Sequence, residues 1–167
     1  MRGGSGPAFA AENYRMHTLY VANSGDGTVS VVNLAACSAL NVSGCERKSP
    51  VIGVGHIPLG LAVDQATNTM DVANALDNTV SVINGATCDP SGASGCGQKP
   101  ATAAVGAFGD AVAVDPVTNT VFVTHRSQQP TVMSSCAWLP PCARGRCRRR
   151  DGKLTPCVGL SSRGAGR

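Results

Sequence analysis

Two stretches of the chain, TLYVANSGDGTVSVVN at 18–33 and TMDVANALDNTVSVIN at 69–84, are near copies set 51 residues apart. The register holds well beyond them. Val21-Ala22-Asn23 becomes Val72-Ala73-Asn74, Asp26 becomes Asp77, Thr28-Val29-Ser30-Val31 becomes Thr79-Val80-Ser81-Val82, and Asn33 becomes Asn84. Cys37 and Cys45 become Cys88 and Cys96. Farther on, Val54-Gly55 returns as Val105-Gly106, and LAVDQATNT (61–69) as VAVDPVTNT (112–120). A fixed period of this length implies that each unit is one supersecondary motif, unable to bury its apolar face alone. The fold must therefore stack copies of one unit.

Each unit reads as strands. GLAVD stops at Asp64 and is followed by the turn QATN; TMDVAN is a second strand and ALDN a second turn. TVSVIN puts Val80 and Val82 on one face and Ser81 on the other, the period of a strand. A loop flanked by Cys follows, then ATAAVG as a fourth strand. Four short antiparallel strands in about 50 residues form one propeller blade. The hydrophobic fraction of 43% comes from Val and Ala, with 20 Gly and 10 Pro as turn formers, which also favours short strands. The expected fold is all-β, a partial β-propeller of about two four-stranded blades and the start of a third, ending in a disordered basic tail. Its units run 7–57 (with a degenerate first strand, Pro7 matching Pro58), 58–108 and 109–125, after a disordered N-terminus at 1–6 and before a tail at 126–167.

Taken together, TLYVANSGDGTVSVVN, GLAVDQATNTMDVANALDNTVSVIN and AVAVDPVTNTVFV resemble the YVTN-type β-propeller repeat family of bacterial surface and secreted proteins. The resemblance covers about residues 7–124 and implies a fold more than a function, because the family carries binding, structural and enzymatic members. Asp71 stands where that family often has Tyr or another large residue, and it is expected to weaken the packing of its blade.

The repeated polar residues have a structural reading. Asp64 and Asp115 precede turns, where a carboxylate accepts backbone N–H bonds. Gly27 and Asn78 sit in tight connections, read as two residues long, that favour positive φ. Asp26, Asp77, Asn23 and Asn74 recur with them and are read as turn residues, not ligands. Cys37/Cys45 and Cys88/Cys96 share the spacing C-x7-C around loops rich in Gly, Ser and Asn. Disulfides are the favoured reading over free thiols or zinc, which usually takes short C-x2-4-C pairs. Disulfides imply an oxidising compartment and hence an exported protein. The N-terminus shows no apolar run of signal-peptide length, so a start inside a longer gene is expected.

After His125 the pattern stops. The first 125 residues carry five basic and nine acidic side chains, a net −4, whereas 126–167 carry nine basic and one acidic, a net +8. Cys136, Cys142, Cys147 and Cys157 match nothing in the repeat. This Arg-, Cys- and Pro-rich composition is what another reading frame of a GC-rich gene produces, so the tail is expected to be frameshifted or disordered. The competing reading is a genuine basic tail that binds an acidic surface or nucleic acid, and a small zinc-binding module touching nucleic acid is a lesser alternative.

No catalytic, cofactor-binding or metal residues are assigned. His17, His56 and His125 show no ligand-like spacing, Glu is limited to Glu12 and Glu46, and no G-x-S-x-G, H-E-x-x-H or P-loop pattern occurs. Asn41-Val42-Ser43 is a glycosylation sequon of the kind that arises by chance. No apolar run reaches membrane-spanning length. The expected function is a noncatalytic extracytoplasmic interaction module for a protein or glycan, itself a fragment that self-associates through open blade edges. The alternative is a remnant of a propeller enzyme such as a lactone hydrolase.

Overall fold

A computed structural model describes residues 4–40, 42–88, 90–91 and 93–125, with the backbone of three further short strands. The expectations for the tail at 126–167 and its four cysteines lie outside the described residues apart from those strands, and so does Asn41.

Strands form where Val, Thr and Ala alternate between turns. The first sheet holds β1 (Pro7–Asn13), β2 (Thr18–Asn23), β3 (Thr28–Asn33) and β4 (Val51–Gly53) in sequence order, all antiparallel. The second repeats it with β5 (Pro58–Asp64), β6 (Thr69–Asn74), β7 (Thr79–Asn84) and β8 (Ala101–Ala104). Pairings match at the 51-residue offset: Asn23 faces Thr28 as Asn74 faces Thr79. Among the described residues the one helical element is a 3-10 turn, Ser43–Glu46.

The third sheet extends past His125, where the 51-residue register stops. β9 (Gly109–Asp115) and β10 (Thr120–His125) are joined by β11 (Thr131–Ser134), which runs antiparallel to β10 with Val123 opposite Thr131. Thr131-Val132 follows Thr79-Val80 by 52 residues, one more than the period, so a fixed offset passes over it. β12 (Arg146–Arg148) pairs with β13 (Leu154–Pro156).

Two further corrections concern the ends and turns. Residues 4–6 are tied to the first sheet and are not a disordered terminus: Gly4 N donates to Ser30 Oγ at 3.0 Å, and Ser24 N donates to Gly6 O at 2.8 Å. The turns carrying Gly27 and Asn78 hold four residues, 24–27 and 75–78, instead of two. Both residues do have positive φ, 65° and 55°. A second positive-φ position recurs at the linker into each sheet, filled by Gly6, Ile57 and Phe108. Glycine takes that conformation freely, whereas a β-branched residue such as Ile57 is strained there by about 1–3 kcal/mol.

The second sheet carries buried apolar side chains on both faces, so the three stack. Tyr20, Ala22, Val29, Val31 and Ile52 of the first sheet pack on Leu61, Met70, Val72 and Ile83 of the second, with Cys88 and Cys96 completing this cluster. From the opposite face of the second sheet, Ala73 and Val80 pack on Val121 and Val123 of the third. Val72 and Ala73 are neighbours in one strand and serve different joints, as strand alternation requires.

Candidate functional site

One edge of the stack carries the β2–β3 turn, the β4–β5 linker and the β6–β7 turn. A cleft of about 350 Å³ opens between them, lined by Ser24, Asp26, Val54, His56, Ile57 and Leu76 among others. Leu76 is 57% exposed at its lip, a large apolar side chain presented to solvent.

The turn acids hold the linkers. Asp26 Oδ2 accepts from Ser5 N at 2.9 Å, and Asp77 Oδ2 accepts from His56 N at 2.8 Å. Ser5 and His56 are the same repeat position, so each turn latches the chain entering its own sheet. Asp77 Oδ1 also meets His56 Nδ1 at 2.8 Å. The His56 backbone N–H, then its ring, hold the Asp77 carboxyl below the usual range. This pair fixes the imidazole by one nitrogen and leaves the ring 78% exposed over the cleft. Nothing in the spacing of three scattered histidines pointed to it. The signal was there in the repeat, because His56 follows Gly55 at the position opposite a repeated Asp.

Asn23 and Asn74 pin the strands beneath the turns. Asn23 Nδ2 donates to Thr28 Oγ1 and Ser30 Oγ at 3.0 and 2.9 Å, and Asn74 Nδ2 to Thr79 and Ser81 at 3.1 and 2.8 Å. Each Asn lies against a glycine, Gly4 or Gly55, where an added Cβ would come within 2.6 Å of its Cγ. In the third sheet Gly106 lies against His125 in the same way.

Asp64 and Asp115 cap the turns between the first and second strands. Asp64 Oδ1 accepts from Ala66 N and Thr67 N at 2.8 and 3.3 Å, and Asp115 Oδ1 from Val117 N at 2.9 Å. The Thr118 hydroxyl, then the Val117 amide, hold the Asp115 carboxyl low. On the far edge, Cys37 bonds Cys45 and Cys88 bonds Cys96. The two disulfide loops flank a second cavity of about 100 Å³ that includes Asn33, Arg47, Lys48 and Ser91, and Asn33 Nδ2 donates to Ser91 Oγ across it at 2.8 Å.

Asp71 sits inside the stack. It is 1% exposed, and neither carboxylate oxygen has a hydrogen-bond partner. Burial, and secondarily the charge of Asp64, raise its pKa from 3.8 to about 7. Among the described residues no three His, Cys, Asp or Glu side chains converge as a metal-binding group, and no helix is long and apolar enough to cross a membrane.

No family model matches the chain, and neither does any curated protein. Solved structures do. Kuenenia stuttgartiensis hydrazine synthase superposes on 78% of this chain with a TM-score of 0.58 at 18% identity. The Cps50 (Swd1) β-propeller domain of Myceliophteria thermophila superposes on 80% with a TM-score of 0.55 at 13% identity. The described chain is a partial β-propeller. Its sheets are blades, and it spans 33% and 37% of the length of those two neighbours. At such identities the likeness carries the fold alone. The two disulfides fit an oxidising compartment.

Proposed function

We propose that this chain is part of an extracytoplasmic β-propeller of the YVTN-repeat type, from a bacterium, that binds a protein partner through the edge carrying the β2–β3 and β6–β7 turns. The observation that carries this reading is the cleft beneath Leu76. It is built jointly by turns of adjacent blades, is anchored by latched linkers, and sets an exposed apolar side chain beside the orienting His56–Asp77 pair. Interfaces centre on such anchors within a rim of polar groups. The C-x7-C disulfides support export, and the short superposed length supports a fragment of a larger ring, since propellers typically have 4–8 blades. The glycan alternative gains less from this surface, because the cleft lacks a tryptophan or tyrosine platform among its lining residues.

Photo-crosslinking from position 24, on the opposite wall of the same cleft, in the exported fraction of the producing cell tests the reading. A discrete adduct that disappears with Leu76→Glu and persists with Leu40→Glu, a fully exposed residue on the disulfide edge, is expected. Adducts insensitive to Leu76→Glu, or a chain found only in the cytoplasm, would overturn it.

A further inference from the structure

The two joints between blades use the same positions for different chemistry. At the first joint Asn13 Nδ2 donates to Asn68 Oδ1 at 3.0 Å, and Tyr20, 1% exposed, fills the space between the sheets. Fifty-one residues on, Asn13 becomes Asp64, Asn68 becomes Asn119 and Tyr20 becomes Asp71. Register places Asp64 opposite Thr69 and Asp71 opposite Ala62, so the two acids share one face of the second blade, the face that meets the third. Asp64 commits Oδ1 to its turn amides. Asp71 commits neither oxygen, and Asn119 Oδ1 is likewise sealed from solvent with no donor.

An unpaired buried carboxylate is costly, and the charge that acts on this one, Asp64, has the same sign. A proton on Asp71 would relieve one oxygen and leave Asn119 and Asp64 as they are. Asn119 stands to Asp64 by repeat position as Asn68 stands to Asn13, so turning its amide to offer NH2 to Asp64 would still leave Asp71 with two bare oxygens. No Arg or Lys side chain bonds either acid among the described residues. One species satisfies all three groups together. We infer that Asp71, Asp64 and Asn119 bind a hard divalent cation of the calcium class between the second and third blades. Its donors are all oxygen, two carboxylates and an amide, the hard set that suits calcium and not the soft thiolate and imidazole metals. The charge balances, two negative groups against a dication. The inference is independent of the partner-binding proposal, because this joint lies away from the cleft under Leu76.

The test uses the full chain, freed of metal with chelator and dialysed, then titrated with CaCl2 alone by calorimetry and thermal unfolding. Expected are saturable 1:1 heat and a Tm increase of roughly 5 °C or more at about 100 times the Kd. Asp71→Asn, which keeps the shape and removes the charge, abolishes both. Asp26→Asn and Asp77→Asn, at the turn edge, retain both. MgCl2 titrated in the same way gives a smaller shift, since magnesium demands a near-octahedral shell. Absence of heat and of any Tm change up to millimolar calcium overturns the inference. So does an Asp71→Asn protein that responds as the parent does, or a response lost through Asp26 or Asp77 instead.

Discussion

The joint between the first and second blades and the joint between the second and third are built on one backbone plan with opposite fillings. Tyr20 closes the first by area, burying an aromatic ring among Val29, Val31, Met70 and Val72. The second sets Asp71 between Ala62 and Val82 in register, on the face whose Ala73 and Val80 pack on Val121 and Val123, and gives it no partner from the protein. A repeat thus fixes where side chains go without fixing what holds a joint together. The first joint stands on packing, with the Asn13–Asn68 hydrogen bond satisfying its polar pair. The second needs something added, a proton or a cation, before its burial becomes favourable.

Substitutions can break this contrast, and the largest effect is expected at the first joint. Tyr20→Ala leaves a cavity between two sheets that cannot collapse freely and should cost about 3–5 kcal/mol by denaturant unfolding. At the second joint the sign reverses. In chelator, a carboxyl whose folded pKa is about 7 and whose ordinary value is 3.8 keeps its proton longer in the native state than in the unfolded chain. Stability should therefore fall as pH rises between those values, by on the order of 4 kcal/mol in all. Asp71→Asn should flatten that decline and leave the protein more stable than the parent at pH 8.

The disulfides sharpen the same comparison. Cys88 and Cys96 are buried in the first joint's cluster, whereas Cys37 and Cys45 are half-buried on the edge. Closing either loop contributes roughly 2–3 kcal/mol in the chain-entropy model. The double Cys88→Ser, Cys96→Ser variant should lose more than its counterpart at 37 and 45, because it also places hydroxyls in the core. Asn13→Ala removes the joint hydrogen bond to Asn68 and the one Asn13 Oδ1 accepts from Met16 N, and should cost about 1–2 kcal/mol. The smallest effect is Asp77→Asn. Its lowered carboxyl contributes stability that is present above the ordinary carboxylate range and lost as pH falls through the folded pKa. Removing it should slightly soften acid unfolding below about pH 4, read by circular dichroism.

Most of the fold was legible because the repeat is literal. Eight strands of two blades fall out of one offset, and the Cys pairs travel with it. What was hidden came from breaks in that offset or from contacts between repeats. β11 escaped because one inserted residue shifts Thr131-Val132 out of phase, and because His125 replaces the pinning Asn. Residues 4–6 escaped because glycine and serine carry no strand pattern, although Gly4 stands at the repeat position of Gly55 and Gly106. Asp71 is visible in the sequence as a departure from the resemblance, where it signals only weaker packing. Only the stacked sheets reveal that both its oxygens are sealed in an apolar joint beside a second acid. The His56–Asp77 pair depends on a turn meeting a linker 21 residues earlier, a proximity no local pattern encodes.

The latch between turn acid and linker amide has a consequence for anyone cutting and splicing these units. A cassette trimmed at the strand boundary, beginning at Pro58, would discard His56 and leave Asp77 holding nothing. One that starts at Gly55 and runs through Val105 carries its own clasp, so arrays assembled from that segment inherit the seam already fastened.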